Sequence, residues 1–246
     1  MKSRTGFLLL ATLWLLSGLD ALTQNQSRNA PPDASVVMPS PKTWGMSTPG
    51  AKLALREKSR AEVQGTPVII YELWATGLPK DLDYTMWIWD VGTDPRSAAN
   101  VLLNDEGKAV FRRANSALHV TEEPLDFKVA AVRAEPKRVG LVTNDGRLRA
   151  YGEIVPFPVE ASSGSCHLSI QMLDLDYSVV RLQAAGFQPN EELTIESGSA
   201  KDSKQQAKAS QDGTYAATLN LPDIKTPAAG KVSVQAKSCT VKVEFP

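Results

Sequence analysis

From Ala51 to the end of the chain, apolar residues recur at every second position, and glycine, proline, asparagine and aspartate cut the pattern at short intervals. A period of two sends alternate side chains to opposite faces of an extended strand. Ile69, Tyr71, Leu73 and Ala75 make one face of such a strand, with Val68, Ile70, Glu72 and Trp74 on the other, and Thr76-Gly77-Leu78-Pro79 ends it. Thr85 to Val91 reads as a second strand. Val101–Leu103 and Ala109–Phe111 flank the turn Asn104-Asp105-Glu106-Gly107, and Val139–Thr143 and Arg147–Val155 flank Asn144-Asp145-Gly146. Phe127, Val129 and Ala131 alternate with Lys128 and Ala130 between them. No long segment carries a period of 3.6 residues. Strand, turn, strand at such spacing predicts an all-β protein built of antiparallel sandwiches.

Pro156-Phe157-Pro158 through Ser162-Ser163-Gly164 reads as a joint, which divides the chain into an N-terminal sandwich at 51–161 and a C-terminal one at 162–246. In the second block Cys166, Leu168, Ile170 and Met172 alternate with polar residues. Val180, Leu182 and Ala184 follow, then Leu193 and Ile195, and finally Val232, Val234, Ala236, Cys239, Val241, Val243 and Phe245. Residues 203–210 are expected to pair with 214–221 across Asp212-Gly213. About seven strands in some 80 residues is the count of an immunoglobulin-like sandwich. The turn Gly186-Phe187-Gln188-Pro189-Asn190-Glu191 resembles a Gly-Phe-x-Pro-x-Glu signature between strands of secreted bacterial immunoglobulin-like domains. Asn190 stands where those domains usually carry glycine, a mild departure because asparagine also tolerates positive φ. The resemblance, confined to the second block, implies an extracellular structural or binding role; with the strand spacing of both blocks, two consecutive immunoglobulin-like or fibronectin-like sandwiches are expected. The first block carries no such signature.

The N-terminus reads as a secretory signal peptide over 1–23. Lys2 and Arg4 precede the apolar run Phe7–Leu16, which Ser17 and Gly18 break. That run is shorter than the roughly 20 apolar residues of a spanning helix. Cleavage is expected between Ala21 and Gln24; an uncleaved membrane anchor is the alternative. No cysteine follows the run closely, which excludes a lipoprotein anchor, and no transmembrane anchor is expected after cleavage. Residues 24–50 form a Pro/Ser-rich leader expected to be disordered for most of its length, with Val36, Val37, Met38 and Trp44 as contacts to the first sandwich. Export to the periplasm, cell surface or medium follows. With 27 basic and 27 acidic side chains the formal charge is zero, so nucleic acid and anionic lipid have no electrostatic attraction to it.

The two cysteines, Cys166 and Cys239, are expected to form one disulfide; two buried thiols are the other reading. Should they open the first and last strands of one domain, side by side and parallel, the bridge closes a loop of about 70 residues.

Few residues suggest chemistry. His119 and His167 read as surface residues, and no catalytic or metal-binding motif occurs, so no cofactor and no metal is expected. Asp81 and Asp83, or Asp174 and Asp176, read as turn acids before they read as Ca²⁺ ligands or a glycosidase pair. Trp74, Tyr84, Trp87 and Trp89 cluster, and Trp87 and Trp89 share a strand face. They form either a tryptophan-rich core or an aromatic surface for a sugar or a partner protein. Arg133, Lys137, Arg138, Arg147 and Arg149 fall near one hairpin, and Arg147 and Arg149 are the candidates to clamp a carboxylate or anionic polysaccharide. The balance favours a non-enzymatic binding or structural module of the bacterial envelope or secretome, with an envelope protein or a glycan as partner. A periplasmic two-sandwich assembly chaperone and a polysaccharide or peptide hydrolase are the alternatives.

Overall fold

The computed structural model describes residues 45–116, 119–198, 203–221 and 230–245; the signal peptide expected over 1–23 and the leader contacts expected at Val36, Val37, Met38 and Trp44 lie outside them. The described residues are all-β, and every strand pair is antiparallel. The first nine strands are β1 (Lys52–Val63), β2 (Thr66–Thr76), β3 (Tyr84–Trp89), β4 (Arg96–Leu103), β5 (Ala109–Ser116), β6 (His119–Pro124), β7 (Phe127–Ala130), β8 (Lys137–Thr143) and β9 (Arg149–Ile154). The remaining eight are β10 (Val159–Ser163), β11 (Cys166–Met172), β12 (Val179–Ala185), β13 (Glu192–Gly198), β14 (Ser203–Lys208), β15 (Tyr215–Asn220), β16 (Gly230–Gln235) and β17 (Thr240–Phe245).

A three-stranded sheet, β1-β2-β7, packs on a six-stranded one, β6-β5-β4-β3-β8-β9. Between them lie Ile69, Tyr71 and Leu73 of β2, Tyr84, Met86 and Ile88 of β3, and Val139 and Leu141 of β8. The alternation seen in the sequence is thus the inward-pointing half of each strand. Both short turns form: Leu103 pairs with Ala109 and Val142 with Arg149. Strand β1 is the least legible element. Leu53 is buried, but beyond Leu55 the strand is charged and exposed, and a bulge at Lys58 breaks its register with β2. Charge and a bulge are the usual protection of an edge strand.

The second sandwich sets β10-β11-β12-β15 against β14-β13-β16-β17. Its core holds Leu168, Ile170, Val180, Leu182, Leu193, Ile195, Val232, Val234 and Phe245. Two expectations fail here. Residues 203–210 do not pair with 214–221: β14 pairs with β13 and β15 with β12, so the chain changes sheets at the turn between them. The Ser210 hydroxyl holds that turn by accepting the Thr214 N–H at 3.0 Å, while the Ser210 N–H donates to the Thr214 carbonyl at 2.7 Å. A tight turn signal specifies reversal, not which sheet receives the returning strand. The segment read as a joint also contributes structure, since Val159–Ser163 is an edge strand paired with β11.

Cys166 and Cys239 form a disulfide with Cα atoms 6.4 Å apart. Their strands leave the bridge in the same direction but belong to opposite sheets, so the bond crosses the sandwich instead of joining neighbours within one sheet.

The Gly-Phe-x-Pro-x-Glu turn fastens this same end. Gly186 has φ +87°, and a side chain there would overlap the Ser165 carbonyl oxygen beside Cys166. Phe187 is buried in the core, and Asn190 takes the positive φ of 58°. The Glu191 carboxylate accepts the Gln188 N–H, the Ser238 N–H and the Ser238 hydroxyl, each at 2.8 Å. It therefore ties the β12–β13 turn to the residue preceding Cys239. Gly186→Ala is expected to cost about 2 kcal/mol through the strained φ and the backbone overlap. Urea denaturation checks this, and an unchanged midpoint would show that the turn relaxes freely.

The Glu191 clasp also sets a pH response. The Gln188 N–H, helped by Ser238 and the Lys237 backbone, holds the Glu191 carboxyl below its ordinary 4.5. Because the folded value is depressed, the stabilisation is complete above the unfolded value and is lost as pH falls through the folded one. Between 4.5 and that lower value, Glu191→Gln should show a flatter decline of urea midpoint with pH than the wild type. Parallel curves would assign the acid sensitivity to other carboxylates.

Candidate functional site

Strands β3, β8 and β9 lie side by side, and their register aligns Trp89 with Arg138 and Arg138 with Glu153. The next pair along, Gly140 and Tyr151, stands beside Trp87 in the same manner. Alternation then brings Trp89, Arg138, Glu153 and Tyr151 to the face of the sheet away from the first core. The Arg138 guanidinium stacks 4.6 Å from the centre of the Trp89 ring, and its Nε donates to Glu153 at 2.6 Å. Trp89 Nε1 donates to the Thr93 carbonyl at 2.6 Å, which fixes the indole.

The second sandwich completes the site. Gln171 and Arg181 are register partners on β11 and β12. Gln171 Nε2 donates to Glu153 Oε1 at 2.6 Å, and an Arg181 terminal nitrogen donates to Gln171 Oε1 at 3.3 Å. A continuous polar relay therefore runs Trp89, Arg138, Glu153, Gln171, Arg181 from one sandwich into the other. Trp89, Arg138, Glu153 and Arg181 line an open cleft that Gly45, Tyr151 and Gly152 also border. Gln171 is buried, where each hydrogen bond is stronger than in water and an unmade one more costly.

The walls of this cleft are pinned. Ala134 is fully buried at φ 59°; its N–H donates to the Phe157 carbonyl at 2.8 Å and its carbonyl accepts the Met172 N–H at 2.8 Å. The Tyr177 hydroxyl donates to the Arg133 carbonyl at 2.7 Å, and Val91 packs into the second core. Beside them Lys137 Nζ lies 2.9 Å from Asp90 and 2.7 Å from buried Glu135, with Arg96 3.3 Å from Asp90. Burial pushes the Asp90 carboxyl up, but the hydrogen bond and charge of Lys137, with Arg96, outweigh it and leave Asp90 below its ordinary range. These contacts fix the two loops that face the second sandwich.

No protein-family model matches this sequence, and no curated protein matches it. The site is therefore read from its own geometry.

The four aromatic residues do not form one surface. Trp74 lies on the outer side of the three-stranded sheet, with Arg56 4.4 Å over its ring and its indole N–H donating to Glu72 at 3.3 Å. Tyr84 is fully buried in the first core; its hydroxyl donates to the Pro79 carbonyl at 2.6 Å, and burial pushes its phenol up to about 12. Trp87 is only 5% exposed. Of the four, Trp89 alone lines the cleft. A shared strand face placed Trp87 and Trp89 on the same side, but sharing a face does not make both accessible.

The proposed carboxylate clamp is not assembled either. Arg147 lies in the turn before β9, exposed and 3.6 Å from Asp145, while Arg149 opens the strand and spends its Nε on the Met46 carbonyl at 3.0 Å. The turn acids take local roles: Asp174 accepts the Leu175 N–H and Asp176 the Ser178 N–H. His167 Nδ1 lies 3.1 Å from the Ser162 hydroxyl on β10. The residues missed from sequence are Tyr151, Gln171 and Arg181. Each is an ordinary polar or aromatic member of an alternating strand, and only the contact between sandwiches gives it a role.

Proposed function

We propose that this chain is an exported, non-enzymatic binding or structural module of the bacterial cell envelope or secretome, and that its partner, an envelope protein or a glycan, occupies the cleft between the two sandwiches. The observation that carries the reading is the polar relay from Trp89 to Arg181, which holds aromatic and cationic groups in fixed positions around an open surface. Preorganised side chains lose little entropy when a ligand arrives. The basic–apolar–small order of the N-terminus and the disulfide support export. Among the described residues no helix is long and apolar enough to cross a membrane. The crossing of the chain between sheets after β12 and after β14 supports the immunoglobulin-like reading of the second sandwich.

The test is capture from a bacterial envelope extract on the immobilised chain, wild type beside Trp89→Ala and Arg181→Met, with and without removal of glycans. Retention of an envelope component that both variants lose supports a cleft-binding role. Equal retention by all three, or turnover of a polysaccharide or peptide by the wild type, would overturn it.

A further inference from the structure

We propose that β15 is a self-association edge, along which two copies of this chain pair antiparallel about a two-fold axis at Thr218 and join their β10-β11-β12-β15 sheets into one. This goes beyond the cleft reading and does not depend on it.

The outer strands of the sheets give the first reason. An uncovered strand edge invites pairing with another chain, and charge, proline, a bulge or shortness usually prevents it. Every other outer strand carries such a guard. β1 is charged and bulged, β7 is four residues long with Lys128, β6 has Glu122, Glu123 and Pro124, and β9 has Arg149 and Glu153. β10 has Glu160, β14 has Lys204 and Lys208, and β17 has Lys242 and Glu244. β15 reads Tyr-Ala-Ala-Thr-Leu-Asn, with no charge, no proline and a register with β12 that no bulge interrupts. Among the described residues only β12 pairs with it.

The phase of its hydrogen bonds gives the second. The Leu221 N–H donates to the Ser178 carbonyl at 2.6 Å. Bonded residues alternate along an antiparallel ladder, so Leu219, Ala217 and Tyr215 also turn their backbone groups to β12. Ala216, Thr218 and Asn220 therefore present their N–H and C=O groups outward along the edge. That set is its own complement. With Thr218 opposite Thr218 on the axis, Ala216 of each copy meets Asn220 of the other, and every outward donor faces an outward acceptor. A two-fold axis sets like against like, so a charge at its centre would meet itself, whereas two threonines make a favourable cross-strand pair. Arg181 is the register partner of Thr218 within the sheet. The two Arg181 backbones would stand three strand spacings apart, about 14 Å, and each side chain is turned to Gln171 of its own copy.

The face beside the edge gives the third. Ala216 and Thr218 are exposed, and an open groove bordered by Ser169, Gln183 and Thr214 lies next to Ala216. The register brings the Asn220 side chain of the second copy to this same face, beside groups that an amide can hydrogen-bond.

The contact is short, so a weak dimer is expected, with a dissociation constant of roughly 10–100 μM. The test is sedimentation velocity of the mature chain over a concentration series spanning that range. Thr218→Lys puts two ammonium groups on the axis and should raise the dissociation constant at least tenfold. Thr218→Pro should do the same by removing an outward N–H, at no loss to the β12 ladder. Thr218→Val keeps the backbone and the shape and should dimerise as the wild type does. Circular dichroism melts at low concentration show which variants fold, and Thr218→Lys decides alone should the proline strain the strand. Amide hydrogen exchange read by NMR tests the phase. On concentration, protection should rise at Ala216, Thr218 and Asn220 and stay unchanged at Ala217 and Leu219, which β12 already holds. A chain that stays monomeric throughout the series overturns the proposal. So does a dimer that the folded lysine variant forms unchanged, or one whose new protection falls on another strand. None of these results bears on capture through the cleft, so the two readings fail separately.

Discussion

Trp87→Ala is expected to lower the unfolding free energy by about 3–5 kcal/mol, the cost of truncating a packed aromatic side chain. Trp87 lies on β3 between its register partners Ser97 and Gly140. At 5% exposure almost all of its area is withdrawn from water. It belongs to neither of the two main cores and lies on the outer side of the six-stranded sheet. Trp87→Phe should cost far less than the alanine variant. The ring retains most of the apolar area, and the change removes an indole N–H that is buried with no hydrogen-bond partner among the described residues. Trp89→Ala should cost less still, because that ring is only half-buried. Urea denaturation of the three variants, with the slope checked for constancy, gives the ranking. A Trp87→Ala midpoint matching that of Trp89→Ala would mean that the indole is not packed as described.

That ranking also shows where sequence reading stops. Alternation told which side chains of β2, β3, β8 and β11 share a face, because a strand obeys a period of two whatever surrounds it. It did not tell whether a face meets solvent. Trp87 and Trp89 are equivalent by spacing and differ only in what covers them. The error at 203–221 has the same origin. Asp212-Gly213 marked a reversal correctly, and the two flanking segments are both strands, but their partners are set by the two-sheet arrangement. Side-chain pattern is silent on that choice, since β14 is polar and exposed along nearly its whole length. The cleft was the least legible feature. Arg138 was visible as a charge near one hairpin, whereas Gln171 and Arg181 sit in the second block and meet it through Glu153 only after the sandwiches dock. The Gly-Phe-x-Pro-x-Glu turn was legible in part. Its positive-φ glycine and the Gln188 N–H bond to Glu191 are local to the turn, whereas the packing of Phe187 and the Glu191–Ser238 bonds are tertiary.

Removing the Cys166–Cys239 bond should cost about 4 kcal/mol, from the entropy that a bridge spanning 73 positions withholds from the unfolded chain. The native end of the sandwich should persist without it, because the Glu191 carboxylate still holds Ser238 and Gly186 still sits against Ser165. The effect would then be one of stability more than of altered structure. The described tryptophans, Trp74, Trp87 and Trp89, lie on β2 and β3, so their fluorescence follows the first sandwich, while far-ultraviolet circular dichroism follows both. In a Cys166→Ala, Cys239→Ala double variant the dichroism midpoint in urea should fall clearly and the fluorescence midpoint less. The gap between them measures how far docking through Ala134, Tyr177 and the Arg138–Glu153–Gln171 relay couples the two cores. A loss under about 1 kcal/mol would mean that the unfolded chain is already compact around these cysteines, contrary to the loop-entropy account. An equal shift of both signals would mean that the two sandwiches unfold as one cooperative unit, with the relay strong enough to transmit the full loss.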